Sequence, residues 1–133
     1  MRLHLILSII AQIQIVREKL IVLQKSIGKQ GNVVMDGRDI GSKVFPDANI
    51  KFFVTARAEV RAKRRHEEMI ANGDNISLKV ILNNLNKRDE QDTNREINPL
   101  IKSEDAIILD NSDLSLIEQE QFIDKMIKSK LEV

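Results

Sequence analysis

The 133-residue chain contains no cysteine. That absence excludes disulfide scaffolds, thiolate zinc sites and cysteine nucleophiles together. Only two histidines occur, His4 and His66, too few for a multi-histidine metal centre. Neither charge sign is in real excess. The 21 Lys+Arg and 20 Asp+Glu leave a formal net charge of +1, whereas dedicated nucleic-acid binders carry a strong basic surplus. Long apolar runs are missing too. The stretch 3–10 is interrupted by His4 and Ser8 and falls short of the roughly 20 residues that span a bilayer. Met1-Arg2 precede it as in a signal peptide, but residues 11–14 (AQIQ) lack the small residues of a cleavage site. A cytoplasmic chain with no membrane partner is therefore expected. The remainder, 42% hydrophobic and 31% charged, is ordinary for one globular domain over residues 1–133.

The pattern along the chain alternates between two periods. Val16, Leu20, Leu23 and Ile27 recur at helical spacing, and Gly28 and Gly31 close that helix. Residues 32–36 (NVVMD) form a short apolar run that predicts a buried strand, followed by a glycine-flanked loop and a Pro46-Asp47 turn. A second strand is predicted over 50–56 (IKFFVTA), rich in aromatic and β-branched residues. A basic helix is expected over 57–71, ending at Asn72-Gly73-Asp74. Another begins near Ser77 with Leu78, Ile81, Leu82 and Leu85 as its stripe, and Asn98-Pro99 breaks it. Residues 106–110 (AIILD) predict a third strand. Ser115 and Glu118 form a capping box that opens a terminal helix through about Lys130. Strands between helices indicate an α/β domain with a largely parallel sheet. Three strands are few for such a sheet, and its edges would be open.

Three constellations carry potential chemistry. The first is Asp36-Gly37-Arg38-Asp39-Ile40-Gly41, directly after a predicted strand, where open α/β sheets bind ligands. Arg38 offers a planar fork for a phosphate, and its glycine neighbours allow close backbone approach. Asp36 could hold a hydrated magnesium ion, and Asp39 could accept from an amino group. A polar turn with self-neutralising charges fits the same residues. The second is Arg88, Asp92 and Arg95, at i, i+4 and i+7 on one helix face. That face continues the Ile81 and Leu85 stripe, so the arginines are expected to point inward or across a cleft and to need an anion. An Arg–Asp–Arg ion-pair ladder is the alternative. The third is Arg57, Arg61, Arg64 and Arg65, crowded on one side of a helix. A polyphosphate or RNA would neutralise them. No aromatic residue lies among them to stack on bases, and a solvated basic face remains open as a reading. His66 reads as a solvated surface residue and His4 as packed or frayed. No Ser/His/Asp arrangement is suggested.

In this order the pieces resemble the bacterial cytidylate kinases, a nucleoside monophosphate kinase family of the P-loop fold. The resemblance runs through Ser8, Val16-Arg17-Glu18, the block 33–41 (VVMDGRDIG), 44–48 (VFPDA), 51–56, Arg61 to Arg65, Arg88-Asp89-x-x-Asp92-x-x-Arg95, Pro99-Leu100 and 106–110. It implies a three-layer α/β fold with a parallel sheet and the reaction ATP + (d)CMP → ADP + (d)CDP. By that resemblance Ser8, Arg17 and Asp39 read the cytosine, and Arg38 and Arg88 clamp the CMP phosphate. Asp92 and Arg95 face the sugar. Arg61, Arg64 and Arg65 belong to a lid, within a helical segment 57–93, that closes over ATP phosphates. Asp36 lies near the Mg2+ shell, beside Gly37. Arg38, Arg88, Arg61 and Arg65 are then the catalytic cations, and CMP, dCMP and ATP the small-molecule partners.

The sequence also departs from the family. No GxxxxGK[ST] loop, whose backbone amides and lysine handle the transferred phosphoryl group, occurs anywhere in it. Gln14 stands where the family has proline just ahead of Val16-Arg17. The chain corresponds to the later part of the family pattern, and the strand that would lie between residues 33–36 and 51–56 is missing. Two expectations follow: an incomplete sheet with open edges able to self-associate, and no efficient phosphoryl transfer by this chain alone. The competing class is a non-catalytic module, either a nucleotide-binding remnant or a protein completed by a partner chain. An RNA-binding fragment is disfavoured by the net charge.

Overall fold

The computed structural model describes residues 13–94 and 99–131. Ser8, Arg95 and the apolar stretch 3–10 lie outside the described residues. Helix α1 (Gln14–Gly28) is followed by a single π-turn (Ile40–Val44), strand β1 (Phe52–Thr55), helices α2 (Ala58–Ala71) and α3 (Leu78–Asn94), strand β2 (Ile107–Asp110) and helix α4 (Leu116–Leu131).

The two strands pair in parallel, with Phe52 opposite Ile107 and Thr55 opposite Asp110. Backbone bonds from Ile107 N to Lys51 O and from Asn111 N to Thr55 O, both 2.9 Å, extend the ladder at its ends. A parallel connection needs a crossover, and α2 and α3 supply it. The chain is thus a mixed α/β protein with a small parallel sheet, as expected, but with two strands among the described residues instead of three. Residues 33–36 form no ladder there, and Val34 is fully exposed at 101%. The run is apolar enough for a strand, yet no described backbone lies beside it to complete its hydrogen bonds.

The main core lies between α2 and α3. Ala62, Met69 and Ile81 are buried, and Ile76, Leu82 and Leu85 pack around them. Ala62 is entirely buried, and its small side chain lets the two helices approach closely. Gly73, at φ +83°, ends α2. Its amide donates to Ile70 O, and Asp74 N donates to Met69 O, both at 2.9 Å, satisfying carbonyls that a helix end leaves free. The Ser115 cap forms as the sequence predicts. Ser115 N donates to Glu118 Oε2 at 2.8 Å, and Glu118 N donates to Ser115 Oγ at 3.2 Å.

Helix α1 corrects the sequence reading. Its expected apolar stripe is largely uncovered, with Leu20, Leu23 and Ile27 all exposed. The less exposed positions are Val16, Arg17, Ile21, Gln24 and Gly28, a face rotated by one residue. Two contacts explain the rotation. Arg17 pairs with Asp39, and Gly28 lies so close to Phe45 that an added Cβ would meet the ring at 2.3 Å. Electrostatics and a glycine niche, with no buried residue on the helix, therefore set how α1 is held.

Candidate functional site

The loop after residue 36 turns tightly because Val44 N and Phe45 N donate to carbonyls five residues earlier, on Asp39 and Ile40. Such π-turns are rare and cluster at functional sites. The turn is buttressed from below. Lys51, nearly buried, donates to the Pro46 carbonyl and to Asp105 at 2.9 Å. Its stem lies 3.4 Å from where a Gly41 Cβ would stand, and Ser103 Oγ donates to Gly41 O at 3.0 Å. The Lys51 ammonium holds the Asp105 carboxyl below its ordinary range.

This platform brings four of the expected acceptor-site residues together. Arg17 Nη2 donates to Asp39 Oδ2 at 2.7 Å, and their side chains are only 11% and 17% exposed. Arg38 Nε donates to the Asp92 carboxylate, which reaches the loop from the last turn of α3. Leu100 N donates to Asp92 O at 2.8 Å, tying the segment beyond α3 to the same point. A small open cleft is lined by Arg17, Leu20, Ile21, Gln24 and Asp39. Its walls combine the apolar Leu20 and Ile21 with the Arg17–Asp39 ion pair.

Asp36 and Gly37 lie at the exposed start of the loop. Among the described residues no group of three His, Cys, Asp or Glu is placed to hold a metal ion. Magnesium characteristically keeps most of its waters and is held by one or two carboxylates together with phosphates. Asp36, a single exposed carboxylate, fits that role alone.

Arg88 is exposed, so of the two expected placements, inward or across a cleft, the inward one does not hold. The face of α3 that meets the rest of the chain runs through Ile81, Leu85, Asp89 and Asp92, so the neighbouring Asp89, not Arg88, is turned toward α2. No described element packs over the Arg88 position.

The basic run on α2 also differs from the expected crowd of uncompensated cations. Each arginine has an acceptor within the protein. Arg57 forks onto Asp113 at 2.8 and 2.6 Å. Arg61 donates from Nε to Ala56 O at 2.9 Å and from both Nη atoms to Asp89 at 3.0 and 2.6 Å. Arg64 reaches Asn111 Oδ1 and O at 3.0 and 2.8 Å. Arg65 meets Glu68 one turn on, at 2.8 Å. Hydrogen bonding to Asp113 and to Asp89 raises Arg57 and Arg61 above their ordinary values. Asp113 is correspondingly lowered.

Three of these acceptors, Ala56 O, Asn111 and Asp113, lie just past the carboxyl ends of the two strands. Arg57 N donates to Ser112 Oγ at 2.8 Å, which in turn donates to Asp110 Oδ1 at 2.6 Å. Those Ser112 bonds lower the Asp110 carboxyl. Asn111 Nδ2 donates to Gln119 Oε1 at 2.6 Å, joining the strand end to α4. Sequence reading missed Asp89, Asn111, Ser112 and Asp113. For the last three a signal was present: they follow an apolar strand directly, the position where α/β sheets present ligand-binding loops.

Two parallel strands joined through a helical pair define a mixed α/β protein with a small parallel sheet. The model of the cytidylate kinase family matches residues 2–130, and the chain belongs to that family. A cytidylate kinase of Bacteroides fragilis (strain ATCC 25285) is 47% identical over 116 residues, covering 87% of this chain and 51% of that protein. One of Flavobacterium psychrophilum is 51% identical over 112 residues, covering 84% and 50%. One of Clostridium botulinum (strain Langeland) is 49% identical over 116 residues, covering 87% and 52%. The chain thus spans about half the length of the curated relatives it matches. No described helix is long and apolar enough to cross a membrane.

Proposed function

We propose that this chain carries the acceptor half of a kinase that transfers the γ-phosphoryl group of ATP to CMP or dCMP. The observation that carries the reading is the Arg17–Asp39 pair walling a cleft beside the Arg38–Asp92 pair. The relatives' names point the same way. Arg17 holds one oxygen of Asp39 and leaves the carboxylate to accept from the cytosine amino group, with Ser8 as a further base contact. Arg38 and Arg88 take the acceptor phosphate. Because Arg38 already donates to Asp92, a phosphate replaces a carboxylate in an existing geometry, and Asp92 is released toward the sugar hydroxyls with Arg95. Asp36 holds hydrated Mg2+ through the nucleotide phosphates, and Gly37 keeps the loop backbone accessible. The segment 57–93 serves as the lid, with Arg61, Arg64 and Arg65 directed to ATP.

Transfer itself depends on positioning and charge neutralisation around the γ-phosphoryl group. With no GxxxxGK[ST] loop among its 133 residues, this chain by itself binds acceptor without efficient turnover. The setting is cytoplasmic nucleotide metabolism, with no nucleic-acid or membrane partner. A second reading, a module completed by another polypeptide or by self-association, is favoured by the exposed Val34 and the uncovered α1 stripe.

The test is a variant series read by selectivity. A carboxylate-to-amine hydrogen bond contributes about 1.5–3 kcal/mol, so Asp39→Asn should erase a CMP-over-UMP preference of about 10- to 100-fold. Equal binding of both nucleotides by the unmodified chain would refute the assignment of the cleft to cytosine.

A further inference from the structure

All three guanidinium nitrogens of Arg61 donate within the protein without any ligand. Its Nε is fixed on the Ala56 carbonyl, at the carboxyl end of β1, and its two Nη atoms lie on the two oxygens of Asp89. Fork-on-carboxylate geometry is also the geometry of fork-on-phosphate. The two anchors differ in kind. The Ala56 carbonyl belongs to the sheet, and Ala56 itself is buried. The Asp89 contact is a side chain 45% exposed, facing an arginine 33% exposed. Water can therefore take over the Asp89 carboxylate when it leaves, while the Nε anchor keeps the guanidinium in place.

We propose that Asp89 is a positioning residue for the donor site: a built-in counter-ion that occupies the Arg61 fork and is exchanged for a phosphate of the donor nucleotide. The proposal rests on the lid reading given above and adds a carboxylate of the lid segment to its arginines. Asp89 orients Arg61 before the nucleotide arrives and competes with it. The exchange also couples α3 to the ligand, because Asp89 and Asp92 lie on the same face, one turn apart. The Arg57 fork on Asp113 follows the same pattern, but its acceptor is 76% exposed and it spans the strand ends only.

The probe is inorganic tripolyphosphate, titrated calorimetrically into the chain at low salt. Asp89→Asn should bind it about fivefold more tightly than the unmodified chain, the scale of one exposed ion pair. Asp89→Glu should return the unmodified affinity, and Arg61→Gln should weaken binding. Glu90→Gln, which removes the same charge one residue away, should leave the affinity unchanged. In the unmodified chain the Asp89 side-chain carboxylate resonance should move as tripolyphosphate is added, a readout that holds even if Asp89→Asn does not fold. Binding that Arg61→Gln weakens, with a stationary Asp89 resonance or an unaltered Asp89→Asn affinity, would overturn the role of Asp89 and leave the lid reading standing. An absence of tripolyphosphate binding by every form would refute the lid reading and this proposal with it.

Discussion

Arg38 and Asp39 are adjacent in sequence yet are paired in opposite directions, one to α3 and one to α1. That divergence makes a six-residue loop the meeting point of two helices far apart in the chain. Each pair is partly shielded, so removing one partner leaves a poorly solvated charge behind. Arg38→Gln is expected to weaken CMP binding by about 10- to 100-fold, the cost of a charge-assisted phosphate contact, while leaving helix content by circular dichroism unchanged. Asp39→Asn should instead act on selectivity. The block 36–41 stood out in the sequence because it follows an apolar run and resembles a family motif, although a polar turn fits the same residues. The partners of its charged groups did not. Nothing in local spacing shows that Arg61 meets Asp89, 28 residues on, since such pairings are set by how helices pack.

Among the elements, the helices were readable, as were two of the three expected strands, 50–56 and 106–110, each within a residue or two, and the run 32–36 was not. Helical stripes and caps are local, so α2, α4 and the start of α3 fall within a residue or two of their expected bounds. The Ser115–Glu118 box allows a direct check. Its hydrogen bonds hold Glu118 below its ordinary value of 4.5. A carboxyl whose folded value is depressed stabilises the fold above its unfolded value, and that contribution is lost as pH falls through the folded one. Asp105, Asp110 and Asp113 are lowered in the same sense. Stability should therefore be greatest above the carboxylate range and decline as pH drops below about 4, seen as a falling thermal midpoint. Ser115→Ala should lower that midpoint by a few degrees at neutral pH and flatten its acid slope.

The run 32–36 shows where a strand reading fails. Composition marks a segment able to pair, but pairing is a property of two segments, and here no described neighbour exists. Helix α1 teaches a related lesson. Its apolar period was correct as chemistry and wrong as orientation, since Arg17 and Gly28 fix the docked face. Gly28→Ala would drive a methyl into the Phe45 ring, an overpacking of about 1–3 kcal/mol. Faster amide exchange throughout α1, with α2 and α3 unaffected, is the expected outcome.

At the scale of the whole molecule, the described residues leave large apolar side chains exposed on α1, at residues 33–34 and on the outer faces of β1 and α4. Two-stranded sheets are marginal alone, and the α2–α3 core carries most of the packing. The ion pairs Arg17–Asp39, Arg38–Asp92 and Arg61–Asp89 nevertheless link segments far apart in the chain. Family membership was legible from motifs spread along nearly the entire sequence. The degree of sheet completion was less so, since it depends on which neighbours are present.

The central claim is that an acceptor site for a cytidine monophosphate is formed within these residues. Calorimetric titration of the purified chain with CMP, with UMP as control, tests it most directly. The account predicts saturable CMP binding near one equivalent and at least tenfold weaker binding of UMP. Silence toward both nucleotides, in a chain whose helices are intact by circular dichroism, would contradict it.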